Sequence, residues 1–76
     1  MSTMLTIPKL EMSMSEGTLA EWMVESGTQV NAGDVIYLLE TNKAAREIEA
    51  PASGTLIIKA EDGQTYACGT EIGEIV

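Results

Sequence analysis

The stretch that decides the fold is VIYLLETNKAAREIEA, residues 35–50. Residues 35–40 form a compact apolar run with β-branched and aromatic members, and residues 46–50 alternate charged and apolar side chains with the period of two typical of a strand. The four residues TNKA, 41–44, separate the two runs. Asparagine suits a tight turn because it tolerates unusual dihedrals and can bond to its own backbone. The stretch therefore predicts a β-hairpin that displays Lys43, exposed, at its tip.

The rest of the chain also consists of short strand patterns separated by glycine-containing turns. Strand patterns occupy residues 18–24, 56–58 and 71–76, and no stretch has the period of a helix. Short strands with frequent turns predict a β-sandwich or barrel. We expect the apolar members of these strands to be mostly buried, namely Trp22, Val24, Val35, Ile36, Leu38, Ile48, Leu56, Ile58 and Ile72.

The second half of the chain echoes the first. Residues 17–19, Gly-Thr-Leu, return as residues 54–56, an offset of 37. At an offset of 36, Glu25, Gly27, Gly33 and Ile36 correspond to Glu61, Gly63, Gly69 and Ile72. The echo predicts two similar β units related by a pseudo-twofold axis. It also maps Glu40 onto Val76, so we expect the chain ends to lie together at one end and Lys43 at the other.

Composition excludes several classes of function. Seventy-six residues allow one domain, spanning 1–76, with a modest core and no deep substrate pocket. A net charge of −8 argues against nucleic acid and anionic membranes as partners. The chain has no histidine and a single cysteine, Cys68, so we expect no catalytic residue, no metal site and a structural role for that thiol. With no signal peptide or apolar span, we expect a cytoplasmic protein.

The hairpin resembles the attachment hairpin of lipoyl domains. Residues 40–54, ETNKAAREIEAPASG, match the family pattern Glu-Thr-Asp-Lys-Ala, followed by an acidic-apolar-acidic strand, Ala-Pro and Gly. Residues 8–19 and 25–36 resemble two further loops of that family. The resemblance implies an all-β, flattened β-sandwich of two four-stranded antiparallel sheets with quasi-twofold symmetry. It also implies lipoic acid attached covalently to Lys43, with Glu40, Asn42 and Ala44 recognised around the site.

The resemblance further implies a non-catalytic carrier that shuttles acyl groups and electrons within a 2-oxo acid dehydrogenase complex. Its partners would be a lipoate ligase or lipoyl transferase, a thiamin-dependent dehydrogenase, an acyltransferase core and the flavoprotein dihydrolipoamide dehydrogenase. We expect the isolated domain to be monomeric. The loop of residues 10–17 resembles pyruvate- and acetoin-type domains, and the Asp-Ile-Gly-Glu-Gly loop of other types is absent. Whether the domain stands alone or belongs to an acyltransferase subunit is open.

Two alternatives remain at this stage. A biotinyl carrier shares the fold, but that family typically has methionine on both sides of its lysine, and this chain has Asn42 and Ala44. An unmodified interaction module of the same fold is the second alternative. It is favoured only by Asn42, which stands where the family usually has aspartate and so removes a charge that a modifying enzyme could recognise.

Overall fold

The computed structural model describes residues 2–10 and 12–76, and within them every regular element is a β-strand. No helix in this part of the chain is long and apolar enough to cross a membrane. The all-β expectation is confirmed. The strands are β1 (Thr3–Thr6), β2 (Glu16–Trp22), β3 (Gln29–Val30), β4 (Val35–Glu40), β5 (Ala45–Glu49), β6 (Gly54–Ile58), β7 (Gln64–Ala67) and β8 (Glu71–Ile75).

The strands form two four-stranded sheets in which every pairing is antiparallel. One sheet has the order β1-β8-β6-β3 and the other the order β5-β4-β2-β7. If four is added to each strand number of the first sheet, with β1 following β8, the order becomes that of the second sheet. The two sheets are therefore copies of one arrangement, which confirms the predicted quasi-twofold symmetry.

Matching hydrogen bonds cross-link the two halves. The backbone N–H of Trp22 donates to Asp62 Oδ2 at 3.1 Å, and that of Ile58 donates to Ser26 Oγ at 3.0 Å. The two donors are 36 residues apart, and so are the two acceptors, which is the offset found in the sequence. Each half therefore satisfies a strand amide of the other half, so the two units are interlocked.

Glycines shape the two equivalent turns that supply these acceptors. Gly27 and Gly63 have φ of +91° and +79°, a region that other residues rarely occupy. Gly27 donates its N–H to Leu56 O at 2.7 Å, and Gly63 donates to Leu19 O at 2.6 Å. Each turn is thereby bonded to a strand of the opposite half, which explains why glycine recurs at the 36-residue offset.

The core lies between the sheets and agrees only partly with the expected set. Its buried members are Leu5, Ile7, Leu19, Val30, Ile36, Tyr37, Leu39, Ala50, Leu56, Ile72 and Ile75. Of the nine residues expected to be buried, three are: Ile36, Leu56 and Ile72. The other six are partly buried. Four of them pack against the core, namely Trp22, Val24, Ile48 and Ile58, and the remaining two are Val35 and Leu38.

A bulge in β2 explains why the expected core set included Trp22 but not Leu19. Leu19 pairs with Leu39 of β4, but the next pair joins Glu21 to Leu38, so Ala20 has no opposite residue. An extra residue reverses the side-chain alternation beyond it. Leu19 is therefore fully buried, although it was not among the residues expected in the core.

The base of the β4–β5 hairpin lies on the side of the molecule where the chain ends are paired. Thr3 of β1 is opposite Ile75 of β8, and Val76 exchanges two backbone hydrogen bonds with Thr55, each within 2.9 Å. Ala50, at the base of the hairpin, precedes Thr55 by one short connection. The turn at residues 41–44 lies beyond the other end of β5. At the usual rise of a strand, it is about 17 Å from the base of the hairpin.

Candidate functional site

The turn between β4 and β5 carries the candidate site. Glu40 and Ala45 are the last paired residues of the two strands, and Thr41 donates its N–H to Ala44 O at 2.8 Å to close the turn. Lys43 is exposed within this turn. It also takes part in an interaction beyond the turn's own hydrogen bonds. The structure thus places Lys43 at the tip of the hairpin, as the sequence predicts.

The hydroxyl of Thr41 organises the turn. Thr41 Oγ1 donates to Ala44 O at 3.1 Å and accepts from the N–H groups of Lys43 at 3.3 Å and Ala44 at 3.2 Å. Among the described residues, only glycines have positive φ, so the tolerance of Asn42 for left-handed dihedrals is not used. The expectation that Asn42 shapes the turn through unusual dihedrals is therefore wrong. Sequence reasoning missed Thr41, although threonine is known to form such turns.

Two open cavities adjoin the turn. One, of about 110 Å³, separates residues 13–16 from residues 41–43. The other, of about 270 Å³, is lined by residues 16–18, residues 40–42 and Thr65. The structure therefore brings the loop before β2 beside the turn, a contact that the sequence alone did not predict. Glu11, part of the loop resemblance, lies outside the described residues.

The surroundings of the turn are polar and acidic. Glu16 and Glu40 line the larger cavity, and Asn42 lines both cavities. Glu40, Asn42 and Ala44 are all exposed, so the three residues expected around the site surround Lys43 on the surface. An open polar surface of this kind can present a group to another protein, but it encloses no substrate.

The only cysteine is not part of this site. Cys68 is half-buried, and its sulfur lies 3.8 Å from the carbonyl oxygens of Pro8 and Met14. Met14 also packs against the core. These contacts fit the structural role that the sequence analysis assigned to the thiol.

The described lysines differ in how available their amines are for covalent attachment. Lys59 Nζ lies 2.8 Å from Glu71 Oε2 and 3.4 Å from Glu74 Oε1. The hydrogen bond that Lys59 donates to Glu71 is the main cause that raises the pKa of Lys59. Lys9 is exposed in the connection from β1 to β2, outside any paired strand. Lys43 is the exposed lysine that lies in the turn between two paired strands.

The fold and the exposed hairpin turn together are those of a small β-sandwich carrier domain. The chain belongs to the biotin/lipoyl family, whose model, described as biotin-requiring enzyme, matches residues 3–75. Within that family it is a lipoyl domain, a carrier that is not itself catalytic. Lipoyl domains hold lipoic acid covalently on a lysine.

Known relatives support this assignment. The succinyltransferase component of the 2-oxoglutarate dehydrogenase complex of Rickettsia felis is 38% identical over 99% of the chain and 19% of its own length. The acetyltransferase component of the pyruvate dehydrogenase complex of Zymomonas mobilis is 39% identical over 95% of the chain and 17% of its own length. The chain spans about a fifth of the length of these curated relatives.

A solved structure agrees with the fold. The solution structure of the lipoyl domain of the 2-oxoglutarate dehydrogenase complex of Azotobacter vinelandii superposes with a TM-score of 0.81 and 28% sequence identity. The match covers 97% of this chain and 95% of that domain. The two sheets and their connections are therefore those of a lipoyl domain.

Proposed function

We propose that Lys43 carries the lipoyl group and that residues 1–76 act as one carrier domain of a 2-oxo acid dehydrogenase complex. The observation that supports this most directly is the position of Lys43, exposed at the tip of a hairpin and beyond the end of both strands. The family's cofactor forms an amide with a lysine, and Lys43 has the required primary amine on a structured turn. Glu40, Asn42 and Ala44 form the surface that a modifying enzyme meets.

The chain contributes presentation rather than chemistry. When bound, the cofactor supplies a dithiolane that can accept an acyl group and electrons. The sandwich holds the Lys43 turn at a fixed distance from the paired chain ends, and the side chain extends the reach of whatever it carries. A tether of this kind raises the local concentration of the carried group at each active site that it can reach.

The proposed partners follow from this role and from the names of the relatives. A lipoate ligase or lipoyl transferase attaches the cofactor. A thiamin-dependent dehydrogenase, an acyltransferase core and the flavoprotein dihydrolipoamide dehydrogenase then meet the modified turn in sequence. The acidic surface favours protein partners with basic entrances over nucleic acid or anionic lipid. We place the domain in the cytoplasm and expect it to be monomeric when isolated.

The attachment site is tested by mass measurement after incubation with lipoate, ATP and a lipoate ligase. We expect the native chain to gain one lipoyl group, whereas Lys43→Ala and the charge-matched control Lys43→Arg gain none. Both variants should keep their stability within about 0.5 kcal/mol, because an exposed turn side chain contributes little. Asn42→Asp should be modified at least as well as the native chain.

Each alternative gives a different result in the same experiment. A lipoylated Lys43→Arg chain would refute the site. A native chain that stays bare while Asn42→Asp is modified would favour the unmodified interaction module. Modification by biotin with a biotin ligase, and none by lipoate, would favour the biotinyl carrier.

The complex served is proposed to be of the pyruvate or acetoin type. The support is the methionine-containing loop, in which Met12 is 96% exposed while Met14 lines the cavity beside Lys43. Relatives of both the pyruvate and the 2-oxoglutarate type match the chain, so the loop is the discriminating feature.

The type is tested by offering the lipoylated chain to the thiamin-dependent component of either complex, together with its own 2-oxo acid. We expect faster acylation with the pyruvate component, and we expect Met12→Ala to reduce that rate while the exposed control Met4→Ala does not. Faster acylation by the 2-oxoglutarate component would reject the proposed type.

A further inference from the structure

We infer that Thr41 is the positioning residue of the attachment site and sets the orientation in which Lys43 is offered to the modifying enzyme. This inference rests on the proposed function of Lys43, because positioning has meaning only if that amine is modified. It concerns a side chain that lies two residues before the lysine and does not itself react.

The hydroxyl of Thr41 uses its whole hydrogen-bonding capacity inside the turn. A hydroxyl has one donor and two acceptor positions. Thr41 Oγ1 donates to Ala44 O at 3.1 Å and accepts from the N–H groups of Lys43 and Ala44 at 3.3 and 3.2 Å. The backbone N–H of Thr41 donates to the same carbonyl of Ala44 at 2.8 Å. One residue therefore ties down the amides of both Lys43 and Ala44.

Besides the backbone bond that closes the turn, the hydroxyl of Thr41 supplies its side-chain hydrogen bonds, and no residue with positive φ takes part. Residues 41–44 contain no glycine, and all have negative φ. Asn42 and Lys43 are exposed, whereas Thr41 is half-buried at the end of β4. The last cross-strand pair, Glu40 with Ala45, lies outside the turn. The peptide planes on either side of Lys43 are thus held mainly from Thr41.

The orientation of these planes matters because the amine lies far out on a flexible side chain. The backbone at Lys43 fixes the direction of the Cα–Cβ bond, and with it the region that Nζ can reach at the end of four methylene groups. Reaction with a bound, activated carboxyl requires close approach and alignment, and an error of about 1 Å can cost up to about 100-fold in rate. Loss of the hydroxyl should therefore slow modification even where the domain remains folded and the amine remains exposed.

The experiment compares Thr41→Val, which keeps the shape and removes the hydroxyl, with Thr41→Ser, which keeps the hydroxyl. Thr28→Val is the matched control, because Thr28 is an exposed turn threonine bonded through its backbone to Glu25 and Leu56. We measure kcat and KM of a lipoate ligase for each chain, with lipoate and ATP in excess. The ligase joins Nζ to the lipoate carboxyl, and ATP is cleaved to AMP and pyrophosphate while the amine loses a proton.

For Thr41→Val we expect a fall in kcat/KM of about tenfold or more, mainly in kcat, because the surrounding docking surface is retained. Thr41→Ser and Thr28→Val should stay close to the native chain. A small amine-acylating reagent should label Lys43 equally in all four proteins, since it needs exposure but no fixed orientation. Native kinetics in Thr41→Val, or equal losses in Thr41→Ser, would overturn the inference.

A second measurement separates this inference from the proposed function. In Thr41→Val, hydrogen exchange at the amides of Lys43 and Ala44 should become faster, while exchange at the β4 amides stays as in the native chain. If the ligase leaves the native chain bare, the proposed function fails. Unchanged exchange at Lys43 and Ala44 in Thr41→Val would overturn the positioning role whatever the ligase does.

Discussion

Tyr37 lies six residues before Lys43 but is buried, whereas Lys43 is exposed. Its side chain is 2% exposed, and its ring centroid lies 5.2 Å from that of Trp22 on the neighbouring strand. Burial raises the pKa of Tyr37 from its ordinary 10.0 to about 12. The interior of the sandwich thus disfavours the phenolate, and the folded state should hold the tyrosine proton at a pH where the unfolded chain releases it.

This difference predicts a loss of stability in alkali. Below about pH 10, Tyr37 keeps its proton in both the folded and the unfolded state, and its full contribution to stability is present. Between about pH 10 and pH 12, Tyr37 ionises only in the unfolded state, so the free energy of unfolding falls as pH rises. Tyr37→Phe removes this part of the pH dependence. Urea unfolding of both chains across the interval, followed by Trp22 fluorescence, measures it. Parallel stability curves for the two chains would contradict the prediction.

At the same scale, the sequence predicted Lys43 but not the group that holds it. Lys43 was accessible to prediction because it lies between two clear strand patterns and because its neighbours resemble a known hairpin. The role of Thr41 depends on where its hydroxyl points once the turn has formed, and that is set by backbone dihedrals. Asn42 was chosen from its general preference for turns, whereas the turn formed here uses no left-handed residue.

Among the elements, β8 is one of the four inner strands and lies between β1 and β6. Gly73 is buried at its centre, opposite Leu5 on one side and Ile58 on the other. A Cβ added at Gly73 would lie 2.6 Å from the backbone oxygen of Ile57. The position therefore has no room for a side chain unless two strands move apart.

Gly73→Ala should therefore destabilise the domain by about 1–3 kcal/mol, the usual cost of overpacking. The matched control is Gly17→Ala, whose Cβ would meet the side-chain ends of Met14 at 2.8 Å and Leu39 at 2.9 Å. Side-chain ends can move more easily than a backbone carbonyl, so the control should lose less stability. Chemical denaturation of both variants gives the order, and a greater loss in Gly17→Ala would contradict it.

The elements also show where strand prediction from periodicity fails. The period of two located β2 and β5, and the apolar run of residues 35–40 located β4. Three strand pairings nevertheless contain register shifts, at Ala20, Ile36 and Ile72. Each shift interrupts the alternation on one strand, so a face assigned on one side of it does not carry across. Five strands, β2, β4, β5, β6 and β8, could therefore be predicted, whereas the short strands β1, β3 and β7 were missed, as was the burial of Leu19 in β2.

At the scale of the whole molecule, the sequence echo predicted more than any single strand pattern did. Repeated glycines and acidic residues at a constant offset imply repeated turns, and repeated turns imply repeated sheets. The repeat is visible in two equivalent hydrogen bonds between the halves, from Trp22 to Asp62 and from Ile58 to Ser26. What the echo could not indicate is the approach of residues 13–16 to the Lys43 turn, because that contact has no counterpart in the pattern.

The antiparallel pairing of β1 with β8 has a mechanical consequence. Thr3 lies directly opposite Ile75, so a tension that pulls these two ends apart acts across the sheet, along the hydrogen bonds rather than along the strands. Such a load breaks the bonds one after another, as a zipper opens, instead of shearing them together. The domain should therefore yield to a weak pull applied through both ends, while the Lys43 hairpin, on the far side, carries no part of the initial load.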